Sequence, residues 1–190
     1  MKKRYLVWFG LMLSMALIGC ASEKDLDTSK LEQYEIKQTT DEALSDDFIY
    51  RLVTEKGEYK SGENIVIYAE LEYIGEKEEI TIFHAASPFY FPMEEKLRGF
   101  RIDYFMNEPL LQTTLQKGTP FREVYSKSGG YSEQDDPGFV KFMKRFLQGD
   151  SFPLGYYVVN GYADFFTEGG NGEGEHAIKL QAQITFKVIK

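Results

Sequence analysis

Apolar and polar residues alternate with a period of two along most of this chain. Ile65, Ile67, Ala69, Leu71 and Tyr73 alternate with Asn64, Val66, Tyr68, Glu70 and Glu72. Ile178, Leu180, Ala182, Ile184, Phe186 and Val188 alternate with Lys179, Gln181, Gln183, Thr185 and Lys187. Runs of this kind mark strands with one buried face. Shorter ones carry Phe48, Tyr50 and Leu52; Ile80 and Ile82; Phe100, Ile102 and Tyr104; Leu111, Thr113 and Leu115; and Tyr157, Val159, Ala163 and Phe165. Turn signals at Gly57, Gly62, Gly75, Gly118 and Gly155, and in the run EGGNGEGE at 168–175, separate them. About seven short strands at this spacing predict a mainly β chain folded as an antiparallel β-sandwich.

One segment changes period. Phe139, Phe142, Met143, Phe146 and Leu147 recur at helical spacing, with Lys141, Lys144 and Arg145 on the opposite face. Asp136 stands where an N-cap belongs, Pro137 at the first helical position, and Gly149 just past the end. The pattern predicts one amphipathic helix over 137–147, before the penultimate strand, with its aromatic stripe in the core.

The first twenty residues follow neither period. Lys2, Lys3 and Arg4 precede a 14-residue run, Tyr5 to Ile18, that is apolar apart from Gly10 and Ser14. That is the charged-then-apolar order of a secretory leader, and the run is short of the roughly 20 residues that span a bilayer. The run ends Leu17-Ile18-Gly19-Cys20, and Cys20 is the only cysteine of the chain. These four residues resemble the lipobox of bacterial lipoproteins. The resemblance implies a diacylglyceryl group on the Cys20 thiol, cleavage between Gly19 and Cys20, and an N-acyl chain on the new terminus. It further implies a protein held on the extracytoplasmic face of the cell membrane. Two acyl chains hold a protein stably on a bilayer where one does not. A plain secretory leader, or a short membrane helix, with an incidental cysteine is the alternative reading.

Cleavage changes the charge. The full chain carries −8; loss of Lys2, Lys3 and Arg4 leaves 19 basic against 30 acidic residues, a balance of −11. An acidic chain of this kind is a poor partner for nucleic acid, whose phosphates require clustered Lys and Arg. Residues 21–46 hold 8 acids and 3 bases with scattered apolar positions, which reads as a flexible tether from the lipidated Cys20. Residues 47–190 then form a single domain. With 43% apolar residues the chain has material for a core, and with its one cysteine in the leader the fold has no internal disulfide.

Within the domain, Gly155-Tyr156-Tyr157 opens the penultimate strand, where immunoglobulin-like domains carry their tyrosine corner. The pattern resembles a bacterial Ig-like sandwich, although the cysteine pair and core tryptophan of antibody domains are missing and Trp8 lies in the leader. Tyr59, Gly62 and Glu63, taken with Pro153, Gly155, Tyr156 and Tyr157, also resemble the small intracellular proteinase-inhibitor domains of bacilli. That resemblance implies an alternative function, an envelope regulator that inhibits a protease.

Catalytic chemistry finds little to work with. His84 and His176 are the only imidazoles and lie 92 residues apart. With no free thiol and no Gly-x-Ser-x-Gly elbow, neither a zinc site nor an activated nucleophile is assembled by spacing. His84 shares the parity of Ile80 and Ile82 and reads as a hydrogen-bonded residue at a strand end. Asp135, Asp136, Asp150, Glu168, Glu173 and Glu175 follow no calcium-loop spacing. The expectation is a non-catalytic binding module, with no metal and no cofactor beyond the lipid on Cys20, whose partners are the membrane and an unidentified protein or cell-wall component. Candidate binding residues are Phe89, Tyr90 and Phe91, between Pro88 and Pro92, and Tyr131 on the loop SKSGGYSEQDD at 126–136. Prolines keep the first segment out of a central strand, so its rings are either presented or tucked under.

Overall fold

The structure, a computed structural model, describes residues 29–168 and 174–190. Gly19 and Cys20, and the middle of the glycine-rich run at 168–175, lie outside the described residues. Two sheets that do not close into a barrel face each other, as in a β-sandwich. The smaller sheet takes β1 (Thr40–Ser45), β2 (Phe48–Thr54), β4 (Ile67–Tyr73) and β10 (Phe121–Val124), in that order. The larger runs β3 (Glu58–Lys60), β12 (Glu175–Ile189), β11 (Gly155–Glu168), β5 (Glu79–His84) and β9 (Leu111–Gln116). Three short strands, β6 (Phe89–Tyr90), β7 (Met93–Glu95) and β8 (Phe100–Ile102), continue it beside β11.

The long hairpin β11–β12 is the spine, paired without a break from Gly155↔Val188 to Glu168↔Glu175. Along its other side β11 meets three partners in turn: β7 at Tyr157–Val159, β6 at Tyr162 and Ala163, and β5 at Phe166 and Thr167. The inward residues predicted by alternation, among them Tyr50, Leu52, Ile67, Leu71, Tyr157, Ile184 and Phe186, are buried between the sheets. The sheets approach closely at Gly161, where a Cβ would come within 2.7 Å of the Tyr50 Oη and 2.8 Å of Leu52. Tyr157 sits at the tyrosine-corner position and bonds as one, its hydroxyl donating to the Pro153 carbonyl four residues upstream at 2.7 Å.

Helix α2 (Pro137–Leu147) has the predicted bounds. The Asp136 carboxylate accepts from Gly138 N and Phe139 N at 2.9 and 3.0 Å, and Phe142, Met143 and Phe146 are buried. Its last turn is tied down by Lys127, whose ammonium donates to the carbonyls of Phe146, Gly149 and Ser151 and lies over the rings of Phe146 and Phe152. This satisfies carbonyls that a helix end leaves without partners. Burial pushes the Lys127 pKa down to about 8.

Three expectations need correction. The described chain has twelve strands rather than about seven, because β1, β3, β6, β7 and β10 are too short or too polar for alternation to register. One pairing, β3 with β12, is parallel. Above all, residues 29–46 are not a free tether. Helix α1 (Ser29–Gln33) buries Leu31, Tyr34 stacks on Tyr156 at 4.6 Å, and the Tyr156 hydroxyl donates to the Glu35 carbonyl. Residues 37–41 then line the outer edge of β12. Lys37 N donates to Thr185 Oγ1, Thr185 N to the Gln38 carbonyl, and Gln183 N to the Asp41 carboxylate, all within 2.9 Å. The segment is held by backbone and polar groups on a sheet edge, which hydropathy does not report, and it covers an edge that would otherwise be open to a second chain.

Candidate functional site

The groove around Tyr90 begins with alternation on β11. Tyr157, Val159, Ala163 and Phe165 point into the core, so Tyr162, Asp164 and Phe166 stand on the outer face. Register sets Tyr90 opposite Tyr162 and Phe83 opposite Phe166. Both pairs stack across the strands, at 4.7 Å and 7° for the tyrosines and 5.1 Å and 13° for the phenylalanines. The row continues to either side. Lys179 lies 4.0 Å from the Tyr162 ring centre and pairs with Asp164 at 3.1 Å, and Tyr104 meets Tyr90 edge-on. Burial raises the phenol pKa of both Tyr90 and Tyr162.

The segment between β8 and β9 borders this row. It is fixed by Ala86 N donating to the Asn107 carbonyl at 3.1 Å and by Ser128, whose hydroxyl bonds both the N–H and the carbonyl of Phe105. It ends in Leu110, 71% exposed, which stands between two depressions. One, of about 380 Å³, has Phe83, Tyr90, Leu110 and Phe166 for walls and the carboxylates of Glu108, Asp164 and Glu175 around it. The other, of about 540 Å³, runs under Leu111 toward Glu123 along β9, an edge strand of the larger sheet. Apolar rings with carboxylates at the margin suit a partner with apolar and cationic side chains.

His84 lies between the two depressions and is committed to the fold. Its Nδ1 is 2.8 Å from the Ala85 carbonyl and its Nε2 2.8 Å from Thr113 Oγ1. His176 is exposed and lies 3.2 Å from Asp46. Among the described residues no group of three or more His, Cys, Asp or Glu is gathered to hold a metal ion.

The predicted binding residues are dispersed. Phe89 and Phe91 are 0% and 2% exposed, which removes them as presented rings. Phe89 stacks between Tyr50 and Phe121, and Phe91 packs edge-on to Tyr104 and Tyr125. The prolines do hold the segment at a local margin of the sheet, pairing with β11 alone, yet alternation persists, so only Tyr90 faces outward. The Pro88 and Pro92 carbonyls accept from Asp164 N and Asn160 N, which suits residues with no N–H to give. Tyr131 is 41% exposed on another surface, its ring 5.8 Å from the Lys144 ammonium of α2. Sequence reading passed over Phe83, Tyr162, Phe166 and Leu110. The signal it had was two aromatics, Tyr162 and Phe166, at positions of β11 that should have been polar.

The residues behind the proteinase-inhibitor resemblance are internal. The Tyr59 hydroxyl lies 2.8 Å from Thr54 Oγ1 and accepts from Lys56 N, closing the turn before β3, while Glu63 accepts from Lys60 N at 2.9 Å and Gly62 has φ +86° in the turn after it. Gly155 leaves room for the buried Glu95, and Tyr156 holds the N-terminal segment. No protein-family model matches the sequence, and a search of curated proteins returns no match.

Proposed function

We propose that this protein is a lipid-anchored, non-catalytic binding module on the extracytoplasmic face of a bacterial cell membrane, and that it engages its partner through the groove around Tyr90 and Leu110. The anchor rests on Leu17-Ile18-Gly19-Cys20 and on the placement of the only cysteine there. The observation that carries the binding reading is the outer-face row of paired rings beside a leucine that is 71% exposed. A soluble domain gains nothing in stability from such a leucine, whereas an interface buries it. A binding role rather than catalysis is supported by His84, whose two ring nitrogens are both engaged by the fold.

Two measurements test the two halves. Mass spectrometry of the membrane-bound protein is expected to find acyl chains on an N-terminal Cys20, and Cys20→Ala to leave unprocessed or released protein; an unmodified thiol refutes the anchor. Cross-linking in intact envelopes, comparing wild type with Leu110→Asp, is expected to show a partner that the variant loses at unchanged thermal stability. Identical cross-link patterns refute the groove.

A further inference from the structure

We propose that β9 is a docking strand: along its open edge it pairs, backbone to backbone, with an extended segment of a partner protein in which aliphatic side chains alternate with lysine or arginine. This rests on the binding reading above and deepens it, naming the mode of recognition and the chemistry of the partner.

Pairing leaves one side of β9 free. Lys117 N donates to the Glu78 carbonyl at 2.9 Å, one step beyond the Glu79↔Gln116 pair, and the register runs on without a bulge to His84↔Leu111. Backbone groups of a strand turn alternately to either side. Those of Leu111, Thr113 and Leu115 therefore face β5, while those of Gln112 and Thr114 point out of the sheet. Among the described residues β9 has no second partner strand, and Gln112 and Thr114 are exposed. The other edge strands are protected in the ways that keep a strand from pairing with foreign chains. β1 carries Asp41 and Glu42, and β10 carries Arg122 and Glu123. β3 and β8 are three residues long and hold Glu58, Lys60 and Arg101, and β6 is two residues between prolines. By contrast β9, six residues reading LQTTLQ, has neither charge nor proline. At about 20 Å it is long enough for strand addition, in which main-chain bonds supply affinity and alternate side chains specificity.

The two faces beside this edge set the partner's chemistry. Leu111, Thr113 and Leu115 share the inner face with Ile80 and Ile82, and Leu115 and Ile82 are buried. An added strand extends that face with aliphatic groups. The outer face carries Gln112, Thr114 and Gln116, with Glu79 bonded to Gln116 and, past Phe83, the carboxylates of Glu108, Asp164 and Glu175. Lys179 pairs with Asp164, and no Lys or Arg stands in the wall of that depression. The other cations near β9 are placed elsewhere. Lys77 and Lys117 lie in the loops beyond the Glu79↔Gln116 pair, and Arg122 is held by Glu70. On the inner side Glu123 accepts from the Ser87 hydroxyl at 2.7 Å. Cationic side chains on the outer face of an added strand therefore meet carboxylates. A second copy, from a chain of net charge −8, meets like charge there, and its own β9 brings no cation.

The probe is a capped synthetic peptide alternating lysine with leucine or valine, long enough to cover β9, added to the full-length protein. Saturable binding by fluorescence anisotropy is expected, with slowed hydrogen exchange at the Gln112 and Thr114 amides read by NMR. The same peptide with glutamate for lysine is expected to bind roughly tenfold more weakly or worse. Thr114→Pro removes an outward N–H without touching the ladder to β5, and is expected to weaken the probe roughly tenfold or more while the melting temperature holds. N-methylation of alternate peptide residues leaves the protein itself unaltered. Of the two possible sets, the one whose N–H groups face β9 is expected to lose binding and the other to keep it. No binding of the probe, or binding indifferent to Thr114→Pro and to both N-methylated sets, overturns this inference; an envelope cross-link that still depends on Leu110 then leaves the groove reading standing. Cross-links indifferent to Leu110→Asp overturn the groove reading and, with it, this one. A protein that is dimeric alone and monomeric as Thr114→Pro assigns the edge to a second copy, which also overturns it.

Discussion

Replacing Phe89 by alanine separates a core plug from a recognition residue. Phe89 has no exposed surface, and its ring lies 6.0 Å from that of Tyr50 and 5.9 Å from that of Phe121, bridging β2 and β10 from the opposite sheet. Large-to-small changes of a buried phenylalanine cost about 3–5 kcal/mol, the upper part applying where neighbours cannot collapse into the space. Here they cannot move freely, because Tyr50 and Phe121 are held by strand pairing and Phe89 by β6 against β11. The two ring contacts add about 0.5–1.5 kcal/mol each to what area burial alone supplies. We therefore expect about 4–5 kcal/mol, which for a domain of this size lowers the melting temperature by roughly 8–20 °C. Tyr90→Ala, one residue away and on the outer face, loses one half-exposed stack and is expected to cost about 1 kcal/mol. Urea unfolding reads both as shifts of midpoint at constant slope. The reasoning fails if Phe89→Ala unfolds within about 1 kcal/mol of wild type, or if Tyr90→Ala proves the more damaging of the two.

Other substitutions probe single groups. The Tyr50 hydroxyl is buried and has no hydrogen-bond partner among the described residues, so Tyr50→Phe is expected to be neutral or stabilising by up to about 1 kcal/mol, whereas Tyr157→Phe, which loses the bond to Pro153, should cost about 1 kcal/mol; the opposite order in chemical denaturation refutes the assignment. Gly155→Ala places a Cβ 2.6 Å from a Glu95 carboxylate oxygen that already accepts from Leu97 N, and is expected to cost about 2 kcal/mol or more; a melting temperature equal to wild type refutes that close approach. Lys127 has a folded pKa of about 8 against an ordinary 10.5, so over that window the unfolded chain binds the extra proton and its contribution to stability rises with pH, the burial penalty being complete below pH 8 and gone above 10.5. Wild type minus Lys127→Met, measured by urea unfolding from pH 7 to 11, should show that rise; a flat or falling difference refutes it.

The elements that sequence alone determined are those with an amphipathic pattern long enough to specify their own structure. Alternation from Ile178 to Val188 dictates a strand whatever lies beside it, and Asp136-Pro137 with aromatics at helical spacing dictates α2 from its first residue to its last. Tyr157 falls in the same class, since its partner Pro153 is four residues away and the corner is local. What tertiary structure decided is everything that depends on a distant neighbour. Residues 29–41 look like solvent-exposed chain because their own side chains bury little; those at 37–41 are fixed on the vacant edge of β12, more than a hundred residues later, while β1 is held by its hairpin with β2. Phe89 and Phe91 carry nothing in their own sequence that separates a presented ring from a buried one, and the pleat of a two-residue strand against β11 settled it. The groove is more remote still. Its four principal residues, Phe83, Tyr90, Leu110 and Phe166, come from three strands and a loop, and only the register of β5 and β6 on β11 brings them together. Periodicity reports the face on which a residue stands, while pairing with strands distant in the chain chooses which residues share that face.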